Sequence, residues 1–196
     1  MRKSFLILGI AVGLVGCAHK SEAGAASEPA ASDSTSEPAS AETAGGQAEK
    51  TATAQLAPKS GNTTLGGSAV FSSTADGVAL VVHVTGATPG QHGAHIHEKG
   101  DCADAEAKNA GGHWNPAGHK HGAPPPSGVH LGDLGNLTVG ADGSGHLEIR
   151  SAEWKIGDGS ANDVVGKSVV IHGGADDLAT DPAGNSGPRV GCGVIQ

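Results

Sequence analysis

No long stretch of the chain repeats apolar residues at helical spacing; short β-branched runs recur instead. They cover residues 51–56, 67–73, 78–84, 93–97, 134–139, 146–150 and 168–172. Asp76-Gly77 and Asp142-Gly143 stand between runs, and Asp-Gly is a strong hairpin signal because both residues tolerate positive φ. The pattern predicts an all-β domain, an antiparallel sandwich or barrel. Two long connections, residues 98–129 and 173–189, interrupt the regularity. Loops that long inside a compact domain are usually functional or disordered.

Upstream of Lys50 the pattern changes. Arg2 and Lys3 precede an apolar run, residues 5–15, that is too short to span a bilayer. The run ends in Leu14-Val15-Gly16-Cys17, which resembles the lipobox of bacterial lipoproteins. In that family the signal is cut before the cysteine and its thiol is lipidated. Residues 1–17 are therefore expected to be a signal peptide, with the mature chain lipid-anchored to a membrane through Cys17. An ordinary secretory signal with a chance cysteine is the alternative; both export the protein to the cell envelope or beyond. Ala18 points, by the same resemblance, to the outer membrane, with periplasm and cell surface both open.

Residues 18–49 are nearly all Ala, Ser, Glu, Thr, Gly and Pro, with no aromatic residue. Such a segment cannot bury enough apolar surface to offset its ordering entropy, which predicts a disordered tether. The globular part is then residues 50–196, where nine basic and fourteen acidic residues leave a net charge of −5 within a whole-chain −8. A basic nucleic-acid footprint is absent.

Candidate chemistry concentrates in histidines. His95 and His97 alternate across Ile96, so on a strand they project from one face. Two neighbouring imidazoles are half of a metal site suited to copper, zinc, iron or nickel. Alone the pair is weak, because a strand histidine is more often a surface or hydrogen-bonded residue. The first long loop adds Gly112-His113-Trp114-Asn115-Pro116 and His119-Lys120-His121-Gly122, and leads into His130-Leu131-Gly132-Asp133-Leu134-Gly135-Asn136. Val169-Val170-Ile171-His172, Ala175-Asp176-Asp177-Leu178 and Pro188-Arg189-Val190-Gly191-Cys192-Gly193-Val194-Ile195 follow. In this order and spacing, these motifs resemble the copper/zinc superoxide dismutases over the whole of residues 50–196.

The resemblance implies a Greek-key barrel that disproportionates superoxide with one copper and one zinc ion per chain. It makes His95, His97 and His172 copper ligands, and His113 the bridge between copper and zinc. His121, His130 and Asp133 become the remaining zinc ligands. Asp176 would bond one ligand of each metal, His95 and His121, and Arg189 would draw the superoxide anion to the copper. His113 and Arg189 would thus be the catalytic residues, His113 as proton carrier. Lys120 could add positive potential. Cys102 and Cys192 would form a disulfide, with a free reactive thiol as the alternative; Cys17 is already taken by lipidation. His92 would support the copper strand, whereas His19, His83, His119 and His146 match no family ligand, and His83 and His146 are expected on sheet faces.

Two departures stand out. The segment between His172 and Arg189 is shorter than in eukaryotic members, and that between Cys102 and His113 is longer, as in bacterial ones. The first removes clear counterparts of guide charges. The chain stops soon after Cys192, so eukaryote-style dimer contacts are not to be assumed and a homodimer stays open. The strongest rival reading is a non-catalytic copper/zinc-binding envelope lipoprotein, ahead of a structural β-sandwich lipoprotein acting as an adhesin or assembly factor. A missing copper histidine or arginine would favour it, and neither is missing.

Overall fold

The computed structural model describes residues 49–125 and 128–196; the expected signal, Cys17 and almost all of the expected tether lie outside them. Eight strands follow in chain order: β1 (Thr51–Pro58), β2 (Gly66–Thr74), β3 (Gly77–Thr85), β4 (Gly90–His97), β5 (Asp133–Val139), β6 (Gly145–Ser151), β7 (Ser168–His172) and β8 (Arg189–Val194). A single 3-10 turn, Lys108–Ala110, is the helical structure among the described residues. The strands close into a barrel in the order β1-β2-β3-β6-β5-β4-β7-β8, every pairing antiparallel. Chain neighbours β3 and β4, and β6 and β7, are not sheet neighbours, which is the Greek-key arrangement.

Period-two alternation builds the barrel interior. Ala52, Ala54 and Leu56 of β1, Phe71 of β2, and Val78, Leu80, Val82 and Val84 of β3 all join one core, while their polar neighbours face outward. Trp154 packs edge-on against Phe71 with ring centroids 6.1 Å apart. Its indole N–H donates to the Leu131 carbonyl at 2.9 Å, so the largest side chain is buried without an unpaired donor.

Strands β4 and β7 break the alternation by being buried on both faces. Ala94, Ile96, Val169 and Ile171 point into the barrel core. The opposite face carries His95, His97 and His172, equally buried, because the two long connections pack across it. Ala107 and Ala110 of the first connection form a second small cluster with Val170, Cys192 and Cys102. The Cys102–Cys192 disulfide is formed, with an S–S distance of 1.97 Å, and fastens that connection to β8.

Three details differ from the sequence pattern. Strand β8 lies outside the β-branched runs, and β4 begins at Gly90 rather than at Gly93. The β2–β3 hairpin turns on Ala75-Asp76, with Gly77 already paired to Thr74. Gly77 has φ 140°, and a Cβ there would sit 2.3 Å from the Ser151 carbonyl oxygen. The glycine therefore serves close strand packing and not only the turn.

Candidate metal centre

Three buried groups of side chains converge on the outer face of β4. The first is His95, His97, His113 and His172; the second is His113, His121, His130 and Asp133; the third is His95, His121 and Asp176. Strand β4 supplies two of these residues, the ends of β5 and β7 supply Asp133 and His172, and the loops supply the rest. His113 is held against β4 by backbone bonds on either side of its neighbour: Trp114 N–H donates to Ile96 O at 2.9 Å, and Gly132 N–H to Trp114 O at 3.0 Å.

In the first group, one nitrogen of each ring is anchored and the other is free. His97 Nδ1 donates to Gly111 O at 3.0 Å and His172 Nδ1 to Gly187 O at 3.0 Å. His95 Nε2 donates to Asp176 Oδ2 at 2.8 Å. A neutral imidazole that donates through one nitrogen presents a lone pair on the other. Those other atoms, His95 Nδ1, His97 Nε2 and His172 Nε2, together with His113 Nε2, are buried without a hydrogen-bond partner among the described residues. Leaving four such atoms unsatisfied would cost about 1–3 kcal/mol each. Four converging imidazole lone pairs are a donor set that fits copper.

The second group has another geometry. Asp133 Oδ2 accepts from the Gly122 and His130 N–H groups at 3.0 and 3.2 Å, which fixes the carboxylate plane. Its Oδ1 then lies 2.9, 3.0 and 3.2 Å from the Nδ1 atoms of His113, His121 and His130, and the His113 and His130 Nδ1 atoms are 3.4 Å apart. Ligands at about 2.0–2.1 Å around a tetrahedral ion stand about 3.3–3.4 Å from one another. Three imidazoles and a carboxylate, the His113–His130 pair at that spacing and the carboxylate somewhat closer, are a donor set that fits zinc.

Asp176 links the groups. Besides His95, it accepts from His121 Nε2 at 2.9 Å and from Leu178 N–H at 2.7 Å. Asn136 clamps its backbone from both sides, accepting from Asp176 N–H at 2.8 Å and donating to Asp176 O at 2.9 Å. Gly184 completes the arrangement: a Cβ there would stand 1.7 Å from Asp176 Oδ1 and 2.7 Å from His121 Nε2.

Burial sets the protonation. It is the main cause lowering His95 to about 4 and His172 to about 3, and it pushes His97 well below the usual value and lowers His113. These rings are neutral near pH 7, ready to ligate. His121 goes the other way: burial alone would lower it, but Asp176 and Asp133 outweigh burial and raise it. Burial would raise Asp176, yet hydrogen bonds from His95, His121 and Leu178 hold it at about 2.

Arg189 pairs with His172 across β7 and β8. Its guanidinium donates to Ala107 O at 2.5 Å and to Gly111 O at 2.7 Å, so Gly111 O serves both Arg189 and His97. All seven metal-type side chains named from the sequence, with Asp176 and Arg189, come together. His92 is buried beneath them, with Nδ1 2.7 Å from His172 O and Nε2 2.8 Å from Thr88 O. His119 and Lys120 are exposed. Asn136, Gly184 and the Gly111 carbonyl were missed by the sequence reading. Asn136 stood inside a quoted motif, but the other two act through backbone or absence of a side chain and leave no chemical signal.

Comparison with known proteins is consistent with this geometry. Residues 65–195 match the family model for copper/zinc superoxide dismutase. The chain is 40% identical over 159 residues to a Cu-Zn superoxide dismutase of Deinococcus radiodurans, covering 76% of this chain and 85% of that one. It is 35% identical over 155 residues to an extracellular Cu-Zn superoxide dismutase of Brugia pahangi, covering 74% and 76%. Among solved structures, a SOD-like protein from Bacillus subtilis is 34% identical with a TM-score of 0.65, covering 74% of this chain and 97% of that one. The clock protein EA4 is 32% identical with a TM-score of 0.67, covering 77% and 96%.

Proposed function

This chain belongs to the copper/zinc superoxide dismutase family, and from that premise we propose that it converts two superoxide anions and two protons into dioxygen and hydrogen peroxide. The observation that carries the proposal is the set of four buried, unpartnered imidazole nitrogens with the Arg189 guanidinium held next to their loop. When bound, copper at His95, His97, His113 and His172 supplies an electron acceptor and donor, and zinc at His113, His121, His130 and Asp133 supplies fixed positive charge.

The remaining work falls to the chain. Arg189 is half-buried and keeps its cationic head oriented by two carbonyls, so it can bind a small anion without reorganising at the moment of reaction. His113 stands in both groups, and its Nε2 can hold a proton and deliver it to the reduced oxygen species. The second proton comes from water. Asp176 locks His95 and His121 in their tautomers, keeping ligand orientation constant through turnover.

The test is superoxide decay followed spectroscopically on the copper- and zinc-loaded chain. Fast, salt-sensitive decay is expected, and Arg189→Ala should slow it about tenfold or more, the lower end of what a focused charge contributes to anion capture. No decay above free-copper background, with stoichiometric metal and the disulfide intact, would leave the non-catalytic copper/zinc-binding reading. Envelope location belongs to the same proposal and rests on the lipobox-like end at Cys17. Cys17→Ser should move the protein from the membrane fraction to the soluble one.

A further inference from the structure

Two histidines outside the buried centre face each other on the outer surface of the barrel. His83 of β3 pairs with His146 of β6 in register, both exposed. Their rings lie 4.6 Å apart at centroids, tilted by 41°, and their Nδ1 atoms are 3.4 Å apart. At that separation the two nitrogens share at most a weak hydrogen bond. It equals the 3.4 Å between His113 Nδ1 and His130 Nδ1 in the buried group, and it is about the spacing of two imidazole nitrogens on one tetrahedral ion.

The surroundings suit a hydrated cation. The pair lines a shallow depression of about 440 Å³ together with Thr85, Thr138 and Ser144. Within the sheet, His83 is flanked by Ser68 of β2 and His146 by Thr138 of β5, so hydroxyls border the imidazoles on both sides. Glu148 stands on the same face as His146, two residues on, with Arg150 beyond it.

We infer that His83 and His146 form a surface chelate for a divalent transition-metal ion, separate from the buried centre and open to exchange with solvent. Two cross-strand imidazoles held by a closed barrel start near the chelating distance, so little ordering entropy opposes binding. Water fills the other coordination positions. Copper(II), nickel(II) and zinc(II) are the ions imidazole suits. The solvent-facing geometry makes this a site that takes up and releases metal, unlike the buried groups sealed by the two long connections.

The experiment titrates Cu²⁺ into the full chain, already loaded with copper and zinc, and reads the added ion by electron paramagnetic resonance. One further ion per chain is expected, with coupling to two nitrogens. His83→Ala and His146→Ala should each weaken it at least about tenfold, the loss that removing even a ligand's supporting partner produces. Superoxide decay should be unchanged. The difference between the parent chain and the variants isolates this site whatever the buried groups hold. A second readout needs no variant: bound Cu²⁺ should protect His83 and His146 from a histidine-acylating reagent, seen by peptide mass. Added copper held equally by the parent and both variants, or released only by His119→Ala, would overturn the inference. So would acylation of His83 and His146 that copper leaves unaltered.

Discussion

At the scale of single residues, Asp176 does the most through the fewest atoms. Its two oxygens orient one ring from each metal-type group, and Asn136 and Gly184 exist around it to fix its backbone and leave it room. Asp176→Ala should therefore lower metal affinity about 10–100-fold, the usual cost of losing a partner that orients a ligand, measured by competition with a chelator. Asp176→Asn should recover little, because an amide cannot accept from both rings through two oxygens.

The histidines make a second prediction, about the metal-free protein. His95 and His172 are held to about 4 and about 3 by burial, below an unfolded value of about 6.5. Between those limits the unfolded chain binds more protons than the folded one, so stability rises with pH across that window. It is fully present above pH about 6.5 and drains away as pH falls toward 4 and 3. Asp176, held at about 2, adds a loss only below its unfolded value of about 3.9. The urea midpoint of the apo chain should fall steadily from pH 7 to pH 4. A flat profile would mean that these rings are not buried and neutral in the folded chain. Such side chains were legible in the sequence because order and spacing distinguish them, whereas a carbonyl such as that of Gly111 carries no residue-type signal.

At the scale of elements, legibility followed side-chain pattern. Strand β1 alternates cleanly and β2 and β3 carry β-branched or aromatic runs, so all three were found nearly to the residue. Strand β8 was not among the runs because Arg189-Val190-Gly191-Cys192-Gly193-Val194 carries two glycines, which weaken a strand signal. The structure gives their reason: a Cβ at Gly191 would stand 2.6 Å from Leu65 Cδ2, and one at Gly193 would stand 2.5 Å from Gln55 O. Tertiary crowding, invisible in a single sequence, overrode propensity. The same strand carries Arg189 and Cys192, so the disulfide and the guanidinium act on one loop. Cys102 sits 90 residues from Cys192, a closed loop worth about 4–5 kcal/mol in the chain-entropy model. Replacing both cysteines with serine should lower the thermal midpoint by many degrees. It should also slow superoxide decay even where the chain is folded, because the Ala107 and Gly111 carbonyls that hold Arg189 belong to the released loop. Full activity in the folded double variant would show that Arg189 needs no such support.

At the scale of the whole molecule, an anion must reach a centre in a domain with a net charge of −5 over residues 50–196. The average field repels it, so local positive charge has to reverse the sign near the entrance. In the proposed reaction Arg189 would do this by contact, held in place by the Ala107 and Gly111 carbonyls. Lys120, exposed and next to His121, is a loop cation that would act through the field alone. The two roles separate by salt. At about 0.01 M salt a charge is felt over about 30 Å, and at 1 M over about 3 Å. Lys120→Glu should slow superoxide decay several-fold at low salt and lose its effect by 1 M. Arg189→Ala should stay slow at every ionic strength if Arg189 touches the substrate, because a contact is not screened. If the Lys120→Glu deficit instead persisted at 1 M salt, Lys120 would be a contact residue, and the entrance would be built from two cations rather than one. If it were absent at low salt, Lys120 would have no part in overcoming the repulsion of the domain.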